Sequence, residues 1–275
     1  MKRYAKILFI SLLLVCYHTV MQAQSIQEQE KEITALFDSI KQASSDSIAI
    51  ELNEKIEILL SDALKKEDAF DYTFTSLNYI GSVYSPNHLM RILSWNYPLR
   101  HGRYGYSALF LVKKQQKSKH KIFAASQHKA FKPDENTKYL PTNWYGALYY
   151  QIVEHKKNRK TQYFLLGISN YQAITKVKVI EPIVIGNQSI TFGKPIFKKE
   201  KKTQQRIVFE YKSTVNIGLE YDTKRNRFVF DHLSPSDPIY KDAYHYYGPD
   251  FSYDSYQWVK TKWVYQPDID VRNKK

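Results

Sequence analysis

The densest gathering of groups able to do chemistry lies between positions 231 and 270. Asp231, His232, Asp237, Asp242, His245, Asp250 and Asp254 stand among Tyr240, Tyr244, Tyr246, Tyr247, Phe251, Tyr253, Tyr256 and Trp258, with Asp268 and Asp270 close behind. Carboxylates and imidazoles share protons and ligate divalent cations, so His232, His245, Asp250, Asp254, Asp268 and Asp270 form a candidate metal set of the kind a metal-dependent hydrolase uses. Their spacing matches no ligand motif. His-Glu-x-x-His is absent, and Asp250-Phe-Ser-Tyr-Asp254 lacks the glycine and final glutamate of a calcium loop. Phe228-Val-Phe-Asp-His-Leu233 alternates as a strand, which sends Asp231 and His232 to opposite faces; both reach one pocket only across a bulge. Asp268-Ile-Asp270 places two carboxylates on one face of an extended segment. The competing reading is that these aspartates cap turns in a loop rich in Pro and Gly.

Aromatic residues are the second resource, with 23 Tyr, 14 Phe and 4 Trp making 15% of the chain. A ring with a flat apolar face and a polar handle stacks on sugars and builds adaptable interfaces, although in sheets it also serves as cross-strand core. Trp95-Asn-Tyr97 and Asn143-Trp-Tyr145 stand at expected loop or strand ends, where rings are exposed. Trp95, Tyr97, Trp144 and Tyr145, with Tyr247 and Tyr253, are therefore the candidate ligand-binding rings. No Gly-x-Ser-x-Gly occurs, and a Ser-x-x-Lys stands in the lysine-rich turn at Ser118-Lys-His-Lys121. The nine glycines are dispersed and cradle no phosphate, so no nucleotide and no other cofactor is expected.

The chain opens with Lys2, Arg3 and Lys6, then an apolar run from Ile7 to Val15 broken by Ser11, too short to span a bilayer. This is the pattern of a signal peptide over 1–23, cut after Ala23, and it predicts export to the periplasm, the outer membrane surface or the medium. An uncleaved anchor would have to extend through Tyr17, His18 and Thr19; a lipid-modified Cys16 would follow a box in which Val15 stands where a small residue is needed. Cys16 is the only cysteine, so the exported part has no disulfide, thiolate metal site or cysteine nucleophile.

The net charge is +14, and without positions 1–23 there remain 38 Lys and Arg against 27 Asp and Glu, a balance of +11. Such a charge suits nucleic acid, anionic lipid or acidic glycan. Export argues against nucleic acid as partner. The runs Lys113-Lys114, Lys117 to Lys121, Lys156 to Lys160 and Lys198 to Lys202 each separate two apolar segments and read as solvated hairpin tips and edge protection.

Positioning falls to two kinds of element. Ile26, Ile33, Leu36, Phe37 and Ile40, then Ile48, Leu52, Ile56, Leu59, Leu60 and Leu64, recur at helical spacing either side of Ser44-Ser45-Asp46. They predict helices over about 25–43 and 46–66, a pair docked on the neighbouring domain. From Tyr72 the texture becomes short aromatic and β-branched runs between turns, with hairpins pairing 105–113 with 120–126, 145–154 with 161–168, 178–185 with 189–192, and 216–221 with 227–233. The first two look alike, but no third copy follows at a fixed period. The strands are too short or too broken by charge for the lipid face of a membrane barrel. The fold class is α+β and mostly β: a helical segment over 24–69, then an antiparallel β-sandwich or strongly curved sheet over 70–275, with 127–143 a long loop and no membrane span after the signal.

Several phrases together resemble a group of exported proteins of unknown function from Bacteroidetes. They are Ile92-Leu-Ser-Trp-Asn-Tyr-Pro98, Trp144-Tyr-Gly-Ala-Leu-Tyr-Tyr150, Phe192-Gly-Lys-Pro-Ile-Phe197, Phe230-Asp-His-Leu233, Tyr247-Gly-Pro-Asp-Phe-Ser-Tyr-Asp254 and Pro267-Asp-Ile-Asp270. The resemblance covers about 70–273 and implies an envelope or secreted location without a known activity. The expected function is a non-catalytic binding or structural protein of the envelope, its ligand a glycan or another envelope component; the alternative is the metal-dependent hydrolase above.

Overall fold

Ser25 and Glu28 close a capping box, the Ser25 hydroxyl accepting from the Glu28 N–H and the Glu28 carboxylate from the Ser25 N–H, and so start helix α1 (Ile26–Lys41). Ser45 caps α2 (Asp46–Leu64) with its hydroxyl alone, accepting from the Ile48 N–H at 3.3 Å, at the break read from sequence. The computed structural model describes residues 25–114, 119–157 and 160–271. The expected signal peptide and Cys16 lie outside the described residues. Along α2 the buried stripe runs Ala49, Asn53, Ile56, Leu60, Ala63 and Leu64, so Ile48, expected on it, is instead exposed.

Strands follow in chain order. β1 (Gly81–Tyr84), β2 (Met90–Pro98), β3 (Tyr104–Lys113) and β4 (His120–Gln127) form an antiparallel meander, the first sheet. β5 (Leu148–Lys157), β6 (Lys160–Ser169), β7 (Thr175–Ile185) and β8 (Ile190–Phe192) continue into a second. After the short hairpin of β9 (Phe197–Lys199) and β10 (Lys202–Gln204), β11 (Ile207–Lys212) returns to pair with β7. β12 (Leu219–Asp222), β13 (Arg227–Pro235), β14 (Tyr247–Val259) and β15 (Lys262–Gln266) complete the third sheet, in which β9 lies parallel to β15. The hairpins and helix pair read from sequence are present, and the fold is mostly β with a short N-terminal helical pair.

The layering goes beyond a two-sheet sandwich. Helices, first sheet, second sheet and third sheet stack in that order, and three apolar cores fill the gaps. Ile33, Phe37, Ile56 and Leu60 of the helices pack on Leu93, Trp95, Leu109 and Leu111 of the first sheet. Ile92, Ala108 and Phe110 on its other face meet Leu165, Val179 and Ile183 of the second. Phe164, Leu166 and Ile180 then meet Phe197, Phe228, Phe230 and Trp263 of the third. Successive residues of β3 and β6 are thus buried in different cores, which is why these strands read as continuous apolar runs rather than alternating ones.

Two polar clips fix the stacking. Glu57 on α2 accepts from Asn53, Ser107 and Ser126 at 2.6–2.8 Å, while Asn53 accepts from the Trp95 indole at 2.8 Å. Deeper, the fully buried Arg206 and Glu181 pair at 2.7 Å. Arg206 also donates to the carbonyls of Asp134 and Thr137, tying the 127–143 loop to the core. A buried charge is tolerated only with such partners, and Tyr145 adds a second donor to Glu181 at 3.0 Å. Burial pushes the Glu181 carboxyl up, against the Arg206 charge that holds it down.

Candidate functional site

The tethered loop forms one wall of a cleft against the third sheet. The cleft encloses about 260 Å3 and is lined by the carboxylates Glu135, Glu210, Asp231 and Asp254, by Tyr244, Tyr247, Tyr256 and Tyr265, and by His232 and Lys199. A second hollow of about 380 Å3 shares Glu135, Glu210 and Tyr244 and adds Lys132.

His232 enters this cleft through a bulge. Asp231 pairs with Tyr253 and Leu233 with Pro249, so one β13 residue faces three of β14. The irregularity breaks the alternation and lets Asp231 and His232 line the same cleft, the exception the alternation argument required. Asp231 is held by the Gly218 N–H at 2.7 Å. On the β14 side the extra residues throw Phe251 outward, 93% exposed and at φ 70°, a left-handed conformation uncommon for a phenylalanine.

Asp254 is buried behind His232 and gathers three donors. Its Oδ2 accepts from Tyr265 Oη at 2.5 Å and pairs with His232 Nδ1 at 2.7 Å, and its Oδ1 accepts from the Asp268 N–H at 3.1 Å. A carboxylate serving as acceptor assigns an imidazole proton to Nδ1, so in the neutral ring Nε2 is the acceptor; it lies 4.0 Å from Asp250 Oδ2. Burial and then the bond to Asp254 raise the Tyr265 phenol, so it remains a donor. Desolvation would also raise Asp250, but the hydrogen bonds from the Ser252 hydroxyl and N–H hold it below the usual range.

The other wall is equally built. Glu135 accepts from the Val208 N–H at 3.0 Å and from the Gln204 amide, yet burial outweighs both and raises its carboxyl above the ordinary glutamate value. Glu210 goes the other way: burial would raise it, but Lys132, Tyr171 and Thr175, at 2.5–2.8 Å, hold it lower. Lys132 lies 4.4 Å from the Tyr244 ring centre and Lys199 4.3 Å from that of Tyr265, so cations and rings alternate along the cleft.

The expected site residues separate into three groups. Tyr247 lines the cleft and Tyr253 is exposed at the bulge. Trp95, Tyr97, Trp144 and Tyr145 are corrected from exposed rings to core: each is buried, with Trp95 and Tyr97 under the helices and Trp144 and Tyr145 between the first two sheets. Their polar tips are satisfied inside, Trp144 donating to Tyr149 at 2.9 Å. The six proposed metal ligands do not converge. His232, Asp250 and Asp254 meet as described, Asp268 contributes its backbone, and His245 packs on Tyr246 at 4.2 Å. Among the described residues no group of three or more His, Cys, Asp or Glu side chains is placed to hold a metal; Asp270 belongs to none.

Sequence reasoning missed Glu135, Glu210, Lys199 and Tyr265 as site residues. Tyr265 carried a faint signal, alternating with Trp263 across Val264, whereas Glu135 stands in an irregular loop and carried none. No family model, curated protein or solved structure matches this chain.

Proposed function

We propose that this is an exported cell-envelope protein that binds a glycan in the cleft between the 127–143 loop, β11 and the third sheet, holding it without turning it over. The observation that carries the reading is the cleft itself: four tyrosines beside four carboxylates, each of the latter fixed by named hydrogen bonds. Ring faces take the apolar face of a sugar, and fixed carboxylates accept from its hydroxyls. Export rests on the signal pattern of 1–23 and on the resemblance to exported proteins of Bacteroidetes, and it places the ligand in the periplasm or at the outer surface. A glycan array probed with the protein and with a Tyr244→Ala/Glu135→Gln variant tests the reading. Binding lost in the variant supports it; equal binding by both overturns the placement in the cleft.

A second reading is favoured by one feature, the imidazole of His232 held by Asp254 with Nε2 left as acceptor. That is the arrangement of a general base, and it would make the same cleft a hydrolase that needs no metal. Release of reducing ends from a bound glycan, abolished by His232→Ala, would replace the binding reading with this one.

A further inference from the structure

Described lysines from the runs around the β3–β4 and β5–β6 turns gather at one end of the stack. Lys113 pairs with His120 at the close of β3–β4, Lys157 with Lys160 at that of β5–β6, and Ile185 with Ile190 at that of β7–β8. The Tyr163–Ile183 pairing sets the last two side by side, and Lys121 Nζ donates to the Asn187 carbonyl at 2.5 Å, drawing in the first. Between these tips the layer separating the first two sheets opens to solvent. The opening is a hollow of about 420 Å3 walled by Val112, Phe123 and Ile185 and rimmed by Lys113, Lys114, Lys119 and Lys121. A neighbouring hollow of about 440 Å3 shares Ile185, exposes Val184 and is rimmed by Lys160 and Lys194. No Asp or Glu is among the described residues lining either.

We propose that this end is a membrane-docking face that seats on a bilayer rich in anionic phospholipid. The rim supplies cations at headgroup level, and the hollows supply apolar walls for the acyl and glycerol portions of the lipid. An acidic glycan or a nucleic acid would engage the rim and could stack on Phe123, but offers nothing to the aliphatic walls of Val112, Val184 and Ile185. A second copy of the chain would bring rim against rim, lysine against lysine. The face is independent of the proposed glycan cleft, which lies along Phe230–Leu233 and Tyr247–Asp254, the half of β13 and β14 away from their turns at 222–227 and 259–262.

Co-sedimentation of the full chain with vesicles tests it, using equal parts phosphatidylglycerol and phosphatidylcholine against phosphatidylcholine alone. The protein is expected on the anionic vesicles and to be released by high salt. Lys114→Glu/Lys119→Glu should weaken partition at least about tenfold, since a lysine at the surface contributes roughly fivefold. Val184→Asp should weaken it too, with an unchanged thermal melt. Lys198→Glu/Lys201→Glu, at the β9–β10 turn that lines neither hollow, should leave it unaltered and so separates a docking face from general basicity. Equal losses from both lysine pairs, indifference to Val184→Asp, or binding to heparin without binding to anionic vesicles would each overturn the proposal.

Discussion

The cleft on the third sheet and the open end between the first two sheets are opposites in charge and in construction. In a chain of net charge +14 the cleft collects four carboxylates, and Asp254, Asp231, Glu135 and Glu210 are each fixed by hydrogen bonds from neighbouring strands or loops. The open end collects lysines on hairpin tips, with long side chains and apolar walls between them. Fixed groups in a walled cleft select a ligand by geometry, whereas a rim of cations around an apolar hollow responds to charge density and surface. The overall charge therefore describes the second region and misdescribes the first.

Removing the cleft's support should give the largest effect. Arg206→Met leaves Glu181 buried without its cation and frees the 127–143 loop, and is expected to cost about 3–5 kcal/mol in denaturant unfolding. Adding Glu181→Leu should recover most of that stability without restoring the tether to Asp134 and Thr137, so a stable double variant that still fails to bind glycan would show that the loop positions the cleft. Vesicle binding should survive in the double variant, because no docking residue touches this pair.

Asp254→Ala comes next. It deprives His232, Tyr265 and the Asp268 amide of their common acceptor, an expected loss of about 1–3 kcal/mol by thermal or chemical melt, with glycan binding weakened alongside. A melt unchanged from the parent would contradict the role given to Asp254.

A smaller effect should appear in the pH profile. Burial raises the Glu135 carboxyl in the folded state, so folding favours its protonated form. That contribution is present in full below the ordinary glutamate value and is lost as pH rises through the raised one. Melting temperatures of the parent and of Glu135→Gln, compared across that window, should diverge, the parent falling relative to the variant as pH rises. Parallel curves would remove Glu135 from the desolvated wall. The smallest stability change belongs to the open end: Lys114→Glu/Lys119→Glu should shift the melt by no more than about 0.5 kcal/mol, the ordinary range for surface substitutions.

How much of this was legible depends on what each residue's neighbours in sequence reveal. The helices announced themselves through the Ser44-Ser45-Asp46 break and their apolar stripes, because breaks and helical spacing are local. The hairpins did so through their turns. Trp95 and Trp144 misled because strand ends in a two-layer protein are exposed, whereas stacking of four layers covers them from a side the local sequence does not describe. Asp231 and His232 were separated by a correct alternation rule that the bulge suspends, and the bulge is created by β14, twenty residues on. Glu181, alone between Ile180 and Pro182 in an apolar run, was a visible sign of a buried partner; nothing in the sequence said that the partner was Arg206.

The most direct test of the account is the side-chain NMR signal of His232 during titration with oligosaccharides from a bacterial envelope. Saturable shifts of its ring resonances, abolished by Asp254→Ala and unaffected by Lys114→Glu/Lys119→Glu, are the predicted result. A glycan that binds while the His232 signals stay in place would contradict the assignment of the cleft.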